Sequence, residues 1–235
     1  MLAIYKREMR SYFTSPLGYV FLCIFLVVSG AVFSYTTFFS MSSDVAPYFS
    51  TMLTTFIVLL PLLTMKLFTD EKKQKTEQLL LTSPVSLFSI VMGKFLAAYT
   101  LFASALLFSC LYFLILSIYG SVHGALLFGN LLASLLVGMA FIAIGTFVSS
   151  ITESQLSSAI LTIAILLGFM LITFLCDLLP DTYWLRYVIE TLSLFYRFQN
   201  FTNGVFDFVA LFYYLSVSAL FLFLTVRVFD RRRFH

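Results

Sequence analysis

The chain has 235 residues, of which 61% are hydrophobic and only 11% charged, and its mean hydropathy is +1.01. A soluble domain carries about a quarter charged residues, so this composition excludes a water-soluble globule. The net charge of +3 is small and the basic residues form short clusters beside apolar runs. This pattern argues against nucleic-acid binding and indicates a membrane protein.

The N-terminal part of the chain predicts a surface helix followed by two membrane spans. Residues 2–14 place apolar and basic side chains at helical spacing, which is typical of an amphipathic helix lying on a membrane. The apolar runs 17–39 and 48–68 are each long enough to cross a hydrocarbon layer of about 30 Å. Pro61 lies inside the second run, where we expect a kink.

A polar loop at residues 69–88 separates these two spans from four more. The loop holds the most polar stretch of the chain, so we expect it to lie in water. The remaining apolar runs, each long enough to span, are 95–118, 125–148, 156–176 and 208–229. The sequence therefore predicts an all-α polytopic membrane protein, with one transmembrane domain of six spans filling residues 1–235.

Residues 177–207, before the last span, are too many for a turn and too polar to cross the membrane. Apolar residues recur at three- and four-residue intervals between Trp184 and Leu192, as in a helix lying in the interface. We expect this segment to form a re-entrant or interfacial helical pair on the outer side.

The distribution of basic residues predicts the orientation of the six spans. Of the 14 Lys and Arg residues, all but Arg186 and Arg197 fall on the side that holds both termini. Because cytoplasmic loops carry the excess of Lys and Arg, both termini are expected in the cytoplasm. The membrane in which we expect the protein is the plasma or inner membrane.

The sequence offers no candidate for catalysis, cofactor binding or metal binding. Lys66, Lys94 and Arg227 lie near the cytoplasmic ends of spans, and we expect them to snorkel into water. The two histidines lack any metal-ligand spacing. The Gly93-Lys94 pair lacks the upstream glycine of a phosphate-binding loop. An enzymatic role for this chain is therefore not expected.

Several motifs carry a family resemblance across nearly the whole chain. Residues 12–19 read Tyr-Phe-Thr-Ser-Pro-Leu-Gly-Tyr, and residues 76–86 read Thr-Glu-Gln-Leu-Leu-Leu-Thr-Ser-Pro-Val-Ser. Further matching segments are 149–155, 198–207 and the terminal basic run. The chain resembles the membrane subunit of ABC-2 type transporters, closest to the gliding-motility-associated and copper-processing (nitrous-oxide reductase maturation) permeases of bacteria. It departs from the family pattern at Lys75, where a glycine is usual.

The resemblance implies a half-transporter that exports an unidentified substrate. A loop helix at about 71–81 would dock on a separate ATPase subunit, which binds ATP and Mg, while this chain binds no cofactor. Two ATPase copies and two permease copies, identical or paralogous, would form the working unit in membrane lipid. The coupling residues that it implies are Glu71, Lys72, Lys73, Thr76, Glu77, Leu79, Leu80, Leu81 and Pro84, with Thr152, Glu153 and Gln155 in the second cytoplasmic loop.

Other functions stay open at this point. A non-transporting membrane anchor could use the same ATP-driven loop to move a machine of the cell envelope. The loop itself could be a solvated basic turn that only sets topology. A membrane enzyme ranks third because catalytic groups are missing. If the chain is a permease, a path at the dimer interface along spans two and five has as its candidates Thr54, Thr55, Pro61, Thr162 and Thr173.

Overall fold

The computed structural model describes residues 1–41, 43–73, 86–119, 123–178, 193–202 and 207–233. The regular elements in these ranges are helices, and six of them are long and apolar enough to cross a membrane. The predicted fold class, an all-α polytopic membrane protein, is thereby confirmed. Most of the polar loop, including Thr76, Glu77, Leu79, Leu80, Leu81 and Pro84, and most of segment 177–207 lie outside the described residues.

In chain order the helices are α1 (Leu2–Thr14), α2 (Pro16–Phe33), α3 (Ala46–Thr64), α4 (Thr69–Lys73), α5 (Leu87–Ser109), α6 (Leu111–Tyr119), α7 (Gly124–Ile151), α8 (Gln155–Leu178), α9 (Tyr196–Thr202) and α10 (Phe208–Arg233). A π-helical segment, Ser34–Phe39, extends α2. The six spans are α2 with this extension, α3 running on to α4, α5 with α6, α7, α8 and α10.

A tight corner joins the N-terminal helix to the first span. Ser15 adopts an extended conformation and Pro16 starts α2, where its missing N–H is not needed. The two helices meet so closely that a Cβ on Gly18 would lie 2.5 Å from the carbonyl oxygen of Tyr12. A glycine at position 18 therefore permits the close approach of α1 to α2.

The fourth span, α7, is the centre of the bundle and contacts α3, α5, α8, α9 and α10. Small residues allow these contacts. A Cβ on Gly138 would lie 2.1 Å from the ring of Phe102, and one on Gly145 would lie 2.2 Å from the hydroxyl of Thr64. Without side chains at these two positions, α5 and α3 can pack directly on the central helix.

The third span begins earlier than the apolar run indicates. The run predicts a start near residue 95, whereas α5 begins at Leu87 and the Ser86 hydroxyl accepts a hydrogen bond from the Ser89 amide at its N-terminus. The helix continues through Lys94, which is buried. Hydropathy placed the boundary after this lysine because a lone charge ends an apolar run.

Candidate functional site at the charged end of the bundle

In the second span, a short hydrogen-bonded turn separates α3 from α4. Residues 65–68 form this turn, in which the Met65 amide donates to the Pro61 carbonyl at 2.9 Å. The Phe68 amide donates to the Ser149 hydroxyl at 3.1 Å, and that hydroxyl donates to the Met65 carbonyl at 3.4 Å. Because Ser149 belongs to α7, the start of the polar loop is bonded to the central helix of the bundle.

Four charged side chains from three helices meet beside this turn, and we call them the Lys94 cluster: Arg7, Glu8, Glu71 and Lys94. The Lys94 ammonium lies 2.9 Å from Glu71 Oε1 and 3.3 Å from Glu8 Oε1. Arg7 lies 2.8 Å from the same Glu8 oxygen and 3.3 Å from that of Glu71. Among the residues that the structure describes, two cations and two anions thus meet where α1, α4 and α5 come together.

Lys94 is the buried member of this cluster. Its side chain is 3% exposed, whereas that of Arg7 is 56% exposed. The ammonium also donates to the Leu67 carbonyl at 2.7 Å and lies 5.2 Å from the centre of the Phe68 ring. The prediction that Lys94 snorkels into water is therefore wrong. Carboxylates from two other helices supply the partners that water would otherwise provide.

The N-terminal helix covers Lys94 because it packs directly on α5. A Cβ on Gly93 would lie 2.9 Å from the side chain of Ile4, so the glycine allows close contact. Further along, the Tyr5 hydroxyl donates to the Thr100 hydroxyl at 3.3 Å. Glu8 was missed as a site residue, although it lies at helical spacing from Ile4 and Tyr5. A carboxylate on an otherwise apolar helix face was the available signal.

The junction of α7 and α8 is bonded to α4 by two side chains. The Lys72 ammonium donates to the carbonyl of Ser150 and, at 2.7 Å, to that of Thr152. The Gln155 side-chain amide donates to the carboxylate of Asp70. The start of the first polar loop and the second polar loop were predicted as site segments separately, and the structure brings them into direct contact.

The electrostatic surroundings of Tyr12 show that the two sets of contacts are neighbours. Burial, together with the negative charges of Glu8 and Asp70, raises the pKa of the Tyr12 phenol. Hydrogen bonding to Glu8 raises the pKa of the Arg7 guanidinium despite its partial burial. The phenol is therefore neutral and the guanidinium charged at neutral pH.

A concavity of about 570 Å³ opens beside α4, lined by Lys72, Lys73, Glu153 and Arg232. Arg232 reaches it because α10 packs against the turn below, where the Phe229 and Phe68 rings lie 4.8 Å apart. Arg232 was not predicted as a site residue, since the terminal basic run was used only for the orientation and for the family resemblance. Among the described residues, three cations and one carboxylate line the concavity, so this part of its lining is positive.

The path residues predicted on spans two and five do not share one surface. Thr54 is exposed on α3, in a row with Ser50, Thr51, Val58 and Leu62.

On α8, Thr162 is 1% exposed and donates to the Ser158 carbonyl at 2.7 Å. The Thr173 hydroxyl lies 2.7 Å from that of Ser193, and both Pro61 and Thr162 are buried while Thr55 is half-buried. Helices α3 and α8 are in contact, so the two predicted helices are neighbours. Thr54 is the predicted candidate that a second molecule could contact.

The part of the chain that the structure describes contains no group of three His, Cys, Asp or Glu side chains able to hold a metal ion. A family model described as an ABC-2 family transporter protein matches residues 2–233. The match runs from the start of α1 to the end of α10. It therefore includes the Lys94 cluster and the residues that line the concavity, which together form the charged end of the bundle. No curated protein matches the chain.

Proposed function

Because the chain belongs to the ABC-2 transporter family, we propose that it is a permease subunit whose movements are driven by a separate ATPase bound at the charged end. The observation that carries this proposal is the bonding of α4, the last part of span two, to α1, to α5 and to the α7–α8 junction. A force on α4 would therefore reach several spans together, since bonded networks and rigid helices transmit displacement.

The orientation proposed for the charged end is cytoplasmic. Five basic residues come together at this end, next to α1 and the end of α10. They are Lys72, Lys73 and Arg232 of the concavity and Arg7 and Lys94 of the Lys94 cluster. The positive-inside rule supports a cytoplasmic location for such a group of basic residues. An ATPase in the cytosol would then meet α4 directly, in the plasma or inner membrane.

The positive concavity is the surface that we propose for ATPase docking. Lys73 and Arg232 are exposed and come from different helices, so a single acidic segment of the partner could contact both. Complementary charge of this kind orients a partner and accelerates association. The coupling helix at about 71–81, implied by the family motif, would enter the partner next to this surface.

The exposed row of α3 is the surface that we propose for pairing with a second permease copy. This row carries short hydroxyl side chains, and the hydroxyls of Ser50 and Thr51 donate to the carbonyl of Pro47 in their own helix. Small and hydroxyl-bearing faces allow close helix approach in a membrane. Two permeases and two ATPases would then form the exporter, with the substrate path between the permeases.

The family subgroup that we propose is that of the gliding-motility-associated and copper-processing permeases, supported by the loop motif at 76–86. For a member of this subgroup, two functions have to be distinguished: export of a substrate, and ATP-driven movement of a machine of the cell envelope. Transport requires a substrate to cross the bilayer, whereas an anchor hydrolyses ATP without moving one.

The deciding experiment is purification of the tagged chain from its native membrane, followed by reconstitution of the complex in liposomes. We expect a nucleotide-binding subunit to co-purify and to hydrolyse ATP faster in the complex than alone. Absence of such a subunit from a monodisperse preparation would refute the proposal. ATP hydrolysis without uptake of any candidate lipid, peptide or other apolar compound would favour the anchor function.

A further inference from the structure

Lys94, on α5, bonds through one ammonium group to α1 and to the stretch from Leu67 to Glu71. Its partners are the Leu67 carbonyl at 2.7 Å, Glu71 Oε1 at 2.9 Å and Glu8 Oε1 at 3.3 Å. An ammonium group has three N–H donors and no acceptor, so three acceptors can satisfy it fully. Leu67 lies in the turn between α3 and α4, Glu71 on α4 and Glu8 on α1, while Lys94 itself is on α5.

Resting on the proposed function, we propose that Lys94 is a positioning residue that binds the N-terminal helix to α4, so that both helices move as one body when the ATPase displaces the first loop. The helix α1 would then be a working part of the coupling apparatus. A membrane-surface helix that served only as an anchor would need no bond to α4.

The burial of Lys94 distinguishes this contact from the neighbouring pair of Arg7 and Glu71. Arg7 also joins α1 to α4, but its side chain is 56% exposed and its ion pair is open to solvent. Exposed ion pairs contribute little because water and salt screen them. The Lys94 side chain is 3% exposed, and its carboxylate partners are 15% and 16% exposed. The bond through Lys94 is therefore the stronger link.

The remaining contacts of α1 hold it to α5 and α2. Ile4 packs on Gly93, the Tyr5 hydroxyl bonds to Thr100, and the Tyr12 carbonyl touches Gly18. These contacts hold α1 against the first and third spans. Once Lys94 also fixes α1 to α4, a displacement of the first loop is carried to span one as well as to spans two and three.

Either carboxylate of the cluster can be removed without leaving Lys94 unpaired. Glu8→Ala leaves Glu71 and the Leu67 carbonyl in place, and Glu71→Ala leaves Glu8. Alanine also preserves helix formation. Lys6→Ala is a matched control, because Lys6 is an exposed cation on the same helix.

The test measures the distance between α1 and α4 by pulsed electron paramagnetic resonance. Spin labels are placed at Arg10→Cys and Lys73→Cys, both exposed positions, in a chain whose Cys23, Cys110 and Cys176 are replaced by Ala. The chain alone in lipid nanodiscs should give one narrow distance distribution. Glu8→Ala should broaden it and Lys6→Ala should not. A distribution that stays narrow in Glu8→Ala overturns the proposal.

Two further measurements keep the result decisive. If Glu8→Ala is not monodisperse, Glu71→Ala releases the same link from the α4 side and should broaden the distribution in its place. In the complex with the co-purified ATPase, once the chain labelled at Lys73→Cys is shown to bind it still, vanadate trapping should leave the distance unchanged in the otherwise unsubstituted chain and shift it in Glu8→Ala. A shift in the unsubstituted chain would show that α1 and α4 move independently. Failure to obtain an ATPase would refute the proposed function alone, because the nanodisc measurement needs no partner.

Discussion

The Lys94 ammonium lies 2.9 Å from Glu71 Oε1, and this ion pair connects the third span to the segment that leaves the second. The lysine is buried inside a membrane protein, where an unpaired charge costs several kcal/mol. Its second carboxylate comes from the N-terminal helix. Helix ends that are distant in sequence therefore depend on one another for their stability.

Simultaneous loss of both carboxylates is expected to destabilise the protein far more than either single loss. Glu8→Ala and Glu71→Ala should each cost about 1 kcal/mol, since Lys94 keeps one anionic partner. The double variant leaves a buried cation with neither carboxylate, and should cost about 3–5 kcal/mol. Thermal unfolding in detergent, monitored as the loss of monodisperse protein, measures the difference in stability between the single and double variants. An additive double variant would contradict the shared role of Lys94.

Charge reversal in the concavity is expected to weaken ATPase binding. Arg232→Glu should lower affinity about tenfold, or about 1.4 kcal/mol, because an acidic partner segment would meet a negative charge. Arg231→Glu is the matched control, since Arg231 is the adjacent exposed arginine on α10 and does not line the concavity. Surface-immobilised permease and titrated ATPase give both affinities. Equal losses in the two variants would indicate a general charge effect.

On the central helix, a methyl group added at Gly145 is expected to destabilise the fold, whereas one added at Gly129 is not. Gly145→Ala would place a Cβ 2.2 Å from the Thr64 hydroxyl, so it should destabilise the fold by about 1–3 kcal/mol. Gly129→Ala, on the same helix, meets no atom within 4 Å and should be neutral or stabilising by about 0.5 kcal/mol. Melting of the two variants in the same detergent compares them. A Gly145→Ala protein as stable as the parent would show that α3 can move away.

Cysteine labelling in intact cells is expected to establish the orientation. In the chain freed of its native cysteines, Lys73→Cys should react with a membrane-impermeant maleimide only after the cells are opened. Ser43→Cys, exposed in the connection between α2 and α3, should react in intact cells. The reverse pattern would place α4 outside and remove the ATPase from its proposed site.

The exposed row of α3 is expected to face a second copy of the chain. Thr54→Cys should form a disulfide-linked dimer under mild oxidation in the membrane. Val27→Cys is the control, because Val27 is 72% exposed and belongs to α2 instead of α3. Gel electrophoresis without reductant measures both yields. Cross-linking at Val27 in preference to Thr54 would move the pairing surface to the first span.

The number of spans and the helical class followed from the sequence because the bilayer itself constrains them. A segment of about 20 apolar residues has few alternatives to a spanning helix, since its backbone must satisfy its own hydrogen bonds in lipid. The bounds of α1 and the family motif in the first loop were also readable locally. The start of α5 was not, because Lys94 interrupted the apolar run.

The tertiary structure alone decided which polar side chains meet. The contacts of Lys94 with Glu8 and Glu71, and of Gln155 with Asp70, join residues far apart in the chain. Local hydropathy describes Lys94 as a solvated lysine near a span end, because the partners that make its burial favourable lie on other helices. Pair energies depend on distance in space and on exclusion of water, and both arise only when the helices pack.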